Sequence, residues 1–182
     1  MGLMKKFLDS ERIETAIDDV LALAQQQEVP IALVGGVAMQ LYGSDRLTMD
    51  VDFIAPQMID GISIHKPLSF GGYSGQIANG VPVDIIVRDD EYADLYREAL
   101  ECAVFESELN VLIVLPSYLA AMKMAAGRSG KDADLYHLIV SGALVPSMKE
   151  TRDIIKRHLG RYAATEFDAL VEEALWRASK GK

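Results

Sequence analysis

Pro116 divides the chain into two kinds of sequence. Before it, short apolar runs are bounded by glycine and proline, and helical segments alternate with strand-like ones. After it, the remaining segments all carry helical signals. Strands and helices first, then helices alone, place the chain in the α+β class. The expected organisation is a core over residues 1–115 and a C-terminal helical subdomain over residues 116–182 that packs on the core.

Within the core, Ile13, Ile17, Val20, Leu21 and Ala24 recur at helical spacing, predicting a helix over residues 10–28 that Pro30 stops. Ile31 to Val34 reads as a buried strand, broken by Gly35-Gly36. Val37 to Tyr42 fits a short helix ended by Gly43. Thr48 to Ile54 alternates around Asp50 and Asp52 and reads as a second strand. Residues 61–65 are a weak strand signal. Gly71, Gly72 and Gly75 mark a loop or bulged turn. Asn79-Gly80 predicts a hairpin leading into a strand over Val81 to Val87. Asp89-Asp90-Glu91 open a helix through about Leu100, followed by strands at Val104-Phe105 and Val111 to Leu115. Beyond Pro116, Ser117 is placed to cap one helix, Asp132 to Val140 fits a second, Ser147 with Glu150 starts a third, and Thr165 with Asp168 starts a fourth.

Several function classes drop out early. A formal net charge of −9 excludes a uniformly basic nucleic-acid binder, though not a local basic patch. Lys149, Arg152, Lys156 and Arg161 form the best such stripe, but interleaved acids make it read as a solvated face. The single cysteine, Cys102, cannot form an internal disulfide and reads as a small buried apolar group; His65, His137 and His158 make no metal pattern. The first residues, MGLMKKFLDSER, have no apolar stretch behind their lysines, and no segment approaches the ~20 apolar residues that span a bilayer. The expected location is therefore cytoplasmic.

The costly feature is the pair of aspartates. Two apart on a strand, Asp50 and Asp52 project from one face, with Val51 and Phe53 on the other. Like charges that close repel unless a cation lies between them. Magnesium suits such a place: it takes a few carboxylate oxygens and draws other ligands from substrate phosphates. Asp84, on a separate apolar strand and off its regular apolar face, is a third candidate. Three convergent carboxylates are what phosphoryl or nucleotidyl transfer requires, with metal neutralising phosphates and one carboxylate serving as base. Taken singly, each of these acids is ordinarily just solvated charge. Gly35-Gly36, between a strand and a helix, can let a phosphate approach bare backbone N–H groups. Alone, it reads better as a tight turn that needs small residues.

Together, Val34-Gly35-Gly36, then Arg46-Leu-Thr48-Met-Asp50-Val-Asp52-Phe53, then Val83-Asp84-Ile-Ile-Val resemble the nucleotidyltransferase superfamily with the polymerase-beta-like fold. That superfamily is marked by a hydrophobic-G-[GS] turn, a D-h-[DE]-h strand and a later strand acid. The variant with GG and R-x-T-x-D-x-D-F is most similar to the AbiEii-type bacterial nucleotidyltransferases, many of them toxins of toxin–antitoxin systems. Leu119-Ala-Ala-Met-Lys123-Met-Ala-Ala and Arg128-Ser-Gly-Lys131-Asp132-Ala-Asp134-Leu135 resemble that group's helical lysine and the basic-acidic segment after it.

The resemblance implies a mixed β-sheet flanked by helices and transfer of an NMP from an NTP to a hydroxyl acceptor. It implies magnesium at Asp50, Asp52 and Asp84, with Asp84 completing the metal site or taking the acceptor proton. Nucleotide contacts would come from Gly35, Gly36, Arg46, Thr48, Lys123, Lys131, Asp132 and Asp134. On residue chemistry alone, Lys123 is either a surface lysine or a charge held inward for phosphate, and the resemblance favours the second. Asp132 and Asp134 would orient Lys123 or Lys131, or are simply acids at a helix start. Implied partners are a transfer RNA or protein acceptor and an antitoxin protein. The competing readings are an enzyme acting on a small, antibiotic-like molecule and an inactive NTP-binding module.

Overall fold

The computed structural model describes residues 10–44, 47–78, 80–127 and 133–180. They form two compact units. One holds residues 10–38 and 47–114, and the other holds residues 39–44, 115–127 and 133–180.

The first unit is built on seven strands: β1 (Ala32–Val34), β2 (Val51–Ile54), β3 (Ser63–Pro67), β4 (Tyr73–Gln76), β5 (Pro82–Ile86), β6 (Val104–Glu106) and β7 (Val111–Ile113). They make one mixed sheet in the order β3-β4-β5-β2-β1-β7-β6. β2 pairs with β5 and β1 with β7 in parallel; the other neighbours are antiparallel. Helix α1 (Ser10–Gln26) buries Ile13, Ile17, Val20 and Ala24 as its spacing predicts, together with Ala16, while Leu21 is only half-buried. Helix α3 (Ala93–Glu101) buries Leu95 and Ala99. The central strands explain why the sequence is so apolar there: all of β1 is buried, as are Val51 and Phe53 of β2 and Val83 and Ile85 of β5.

The second unit contains α4 (Pro116–Ala125), α5 (Ala133–Val140), a short 3-10 turn at Val145–Ser147, α6 (Met148–Leu159) and α7 (Arg161–Lys180). α6 packs against both α4 and α7, and α5 packs against α7. Their core includes Leu119, Leu135, Leu138, Ile154, Ile155 and Phe167. Helix α2 (Gly35–Leu41) crosses the division between the units.

Several local expectations are corrected. Tyr73–Gln76 is a strand, not a loop. The glycines before it are needed because β5 lies so close: Gly72 has φ +88, and a Cβ there would sit 2.0 Å from the Ile85 carbonyl oxygen. Helix α3 begins at Ala93, not Asp89; Asp90 instead accepts a hydrogen bond from the Tyr92 amide at 3.1 Å. Ser117 is no cap, because α4 starts at Pro116 and Ser117 is buried in its first turn. Helix α7 begins at Arg161, directly after Gly160 at φ +91, so Thr165 lies inside it. Cys102 is exposed at the end of α3 rather than buried. The Asn79-Gly80 signal is partly outside the described residues; Gly80 itself, at φ +78, donates its amide to the Ile77 carbonyl in the turn between β4 and β5.

Candidate active site

Asp52 sits in the middle of the sheet, between Val51 and Phe53, neither of which is exposed. In the parallel pair of β2 and β5, it stands opposite Asp84. Residues in register share a face, so both carboxylates leave the sheet on the same side. Asp50 lies just before β2 rather than within it. The Thr48 hydroxyl lies 3.0 Å from both the Asp50 carbonyl oxygen and its Oδ1, which fixes Asp50 toward the other two acids.

Asp50, Asp52 and Asp84 each offer a carboxylate oxygen, and these atoms all lie within 4.8 Å of one another. All three residues are half-buried. Two unit charges at such a distance repel by about 3 kcal/mol at an effective dielectric constant near 20, and by less where solvent screens them. Burial pushes the Asp84 carboxyl above its ordinary range, opposed by a hydrogen bond from Ser74, and the Asp50 charge pushes it up further. A cluster of hard oxygen donors whose charges oppose one another suits magnesium, which takes carboxylate oxygens and leaves room for substrate oxygens.

The glycine pair packs directly on this cluster. Gly35 has φ +63, and a Cβ there would fall 1.8 Å from Asp52 Oδ2. A Cβ on Gly36 would fall 2.4 Å from Thr48 Oγ1. The Gly36 amide donates to Asp52 Oδ2 at 3.4 Å, a long bond. The two glycines thus give Asp52 and Thr48 their space, in addition to leaving the backbone bare.

Sequence reasoning missed the neighbours on the far side. Ser74 on β4 stands opposite Asp84, and Lys66 on β3 stands opposite Ser74. Ser74 is hydrogen-bonded to Asp84, and the Lys66 charge favours ionised Asp84. The available signal was the alternation of Tyr73 and Gly75 with Ser74 and Gln76 ahead of the hairpin turn. Three glycines in five residues obscured it. Tyr96 of α3 is also near: burial raises its phenol above the ordinary value of 10.0, Arg88 opposes this, and the charges of Asp90 and Asp52 add to it.

In the helical unit, Lys123 Nζ lies 2.6 Å from Asp134 Oδ2. The Asp134 side chain is 2% exposed and that of Lys123 is 22% exposed. The lysine in the apolar stretch of α4 is therefore held in an ion pair with Asp134. Arg46, Lys131 and Asp132 lie outside the described residues. Of the basic stripe, Arg152 is engaged with Asp168 at 2.8 Å, which fits a solvated, paired face.

No family model matches the chain, and no curated protein matches it in sequence. Solved structures do. The antibiotic-resistance factor ANT(2'')-Ia, studied in solution, is similar with a TM-score of 0.57 and 15% identity, over 89% of this chain and 98% of that one. An antigenic nucleotidyltransferase-like protein from Paracoccidioides brasiliensis gives a TM-score of 0.46 and 15% identity over 92% and 95% of the two chains. A crystal structure of ANT(2")-Ia with adenylyl-2"-tobramycin gives 0.45 and 15% over 90% and 97%. Among the described residues no helix is long and apolar enough to cross a membrane. With its seven-stranded mixed sheet and flanking helices, the chain has the nucleotidyltransferase fold.

Proposed function

We propose that the chain is a magnesium-dependent nucleotidyltransferase that moves an NMP from an NTP to a hydroxyl acceptor. The observation that carries this reading is the convergence of Asp50, Asp52 and Asp84 within 4.8 Å, beside the Gly35-Gly36 turn. The acceptor oxygen would form a bond to the α-phosphorus as the bond to pyrophosphate breaks. Asp84 is the proposed acceptor of the hydroxyl proton where it does not complete the metal site. Magnesium held by Asp50, Asp52 and Asp84 would supply neutralising charge for the phosphates. Thr48 keeps Asp50 in place, and the bare backbone at Gly35-Gly36 leaves room for a phosphate. Lys123, oriented by Asp134, is proposed as a phosphate-binding residue. Arg46, Lys131 and Asp132 carry the same proposal from the resemblance alone.

The finer reading is a cytoplasmic, AbiEii-type bacterial toxin whose acceptor is a transfer RNA and whose partner is an antitoxin protein. It rests on the motif Arg46-Leu-Thr48-Met-Asp50-Val-Asp52-Phe53. Growth inhibition on expression, relieved by an adjacent gene, tests it. The small-molecule reading draws on the net charge of −9, which suits a cationic acceptor, and on the likeness to ANT(2'')-Ia. An inactive NTP-binding module ranks last, because all three acids are present.

The core test replaces Asp50 and Asp52 with alanine and measures magnesium-dependent transfer from labelled NTP to cellular RNA. Loss of transfer is expected. Transfer at the wild-type rate removes the catalytic assignment.

A further inference from the structure

Four residues form one row across the sheet: Lys66 on β3, Ser74 on β4, Asp84 on β5 and Asp52 on β2. Each is in register with the next, so all four lie on one face of the sheet. Lys66 reaches this row only because β3 is irregular. Ile64 pairs with Gly75, and the next pair is Lys66 with Ser74, so His65 stands opposite no residue of β4. In an unbroken ladder His65 would face Ser74, and Lys66 would belong to the other face. A bulge that adds one residue re-aims every side chain after it. Here it puts Lys66 rather than His65 into the row that leads to the carboxylates.

The strand order then sorts the two substrates. β1, which leads into the Gly35-Gly36 turn, lies next to β2, while β4 and β3 lie beyond β5 on the opposite side of the acids. A triphosphate seated at the glycine turn lies on the β1 side. The group that meets Lys66 therefore belongs to the second substrate, whose hydroxyl meets Asp84. Two strand spacings, about 10 Å, separate the strands of Lys66 and Asp84. A single ribose with its phosphate, plus the reach of the lysine, bridges that gap.

Resting on the nucleotidyltransferase reading above and on its RNA acceptor, we infer that Lys66 is a specificity-determining residue that binds the acceptor phosphate next to the reacting hydroxyl. An acceptor without a phosphate gains nothing from Lys66. Ser74, between the two, holds Asp84 and leaves the lysine as the only basic residue of the row.

The test compares the wild-type chain with Lys66→Glu and Lys66→Arg, using labelled NTP, magnesium and two acceptors: transfer RNA with a free 3′-hydroxyl, and tobramycin. The wild type is expected to modify the RNA in preference to tobramycin. Lys66→Glu is expected to raise KM for RNA by about tenfold and to lower the salt slope of binding by about one. Lys66→Arg should restore both. The thermal shift on adding NTP should be the same in all three proteins, which separates this role from nucleotide binding. Wild-type transfer to RNA with an unchanged KM in Lys66→Glu overturns the role of Lys66 alone. Preference for tobramycin overturns the RNA assignment while leaving nucleotidyl transfer standing. No NTP shift and no transfer to either acceptor overturn the underlying reading, and this inference with it.

Discussion

Asp52 and Asp84 face each other across the parallel pair of β2 and β5, with Asp50 completing a set of three carboxylates. The repulsion within this set costs stability that a bound cation would return. The expectations for magnesium follow from this. Adding it should raise the melting temperature of the wild type, by about 2.7 kcal/mol of stability at a hundredfold excess over Kd. Asp50→Asn and Asp52→Asn should lose most of that shift. Equal shifts in all three, measured by differential scanning fluorimetry, would place the ion elsewhere.

Asp84 sets a pH dependence. Its folded carboxyl is raised above the ordinary 3.8, first by burial. Below 3.8 both states hold the proton. As pH rises past 3.8 the unfolded chain releases it first, so stability falls until the folded group also ionises. Asp84→Asn removes that slope. It should raise the melting temperature of the metal-free protein at neutral pH, and it should abolish transfer. Melting curves from pH 3 to 8 check the first effect and the labelled-NTP assay the second. A lower melting temperature at neutral pH would contradict the argument.

Gly35 can be separated from an ordinary left-handed glycine. Gly35→Ala adds a Cβ 1.8 Å from Asp52 Oδ2 at φ +63, whereas Gly142→Ala at φ +84 meets nothing within 4 Å. Backbone strain costs about 1–3 kcal/mol in either case. Only Gly35→Ala should also displace Asp52 and abolish magnesium-dependent transfer. Equal activity in the two variants would mean that Asp52 moves aside without consequence.

The Lys123–Asp134 pair predicts an asymmetry. Lys123→Ala leaves a carboxylate that is 2% exposed without its lysine, while Asp134→Ala leaves a lysine that is 22% exposed and can extend to water. Breaking a buried pair costs about 3–5 kcal/mol. Lys123→Ala should lie at the upper end and Asp134→Ala below it, with the double variant less destabilised than the sum. Urea denaturation of the three variants measures the coupling. Strict additivity would show that the pair contributes nothing as a pair.

Much of this molecule was determined by its sequence alone. The buried stripe of α1, the apolar β1 and β5, and the helices after Pro116 follow from local periodicity, which tertiary contacts do not need to supply. Asp50, Asp52 and Asp84 could be picked out because carboxylates among Val51, Phe53, Val83 and Ile85 stand out against an apolar background. Their meeting within 4.8 Å could not be read locally, because it depends on β2 and β5 being parallel neighbours in one register. The same holds for Ser74 and Lys66. Strand β4 is hidden among glycines whose purpose is close approach to β5, and Lys66 reaches the row only through a one-residue bulge at His65. Sequence periodicity says which face a side chain takes along its own strand. Only pairing across strands decides which faces join, and a single inserted residue reverses the answer.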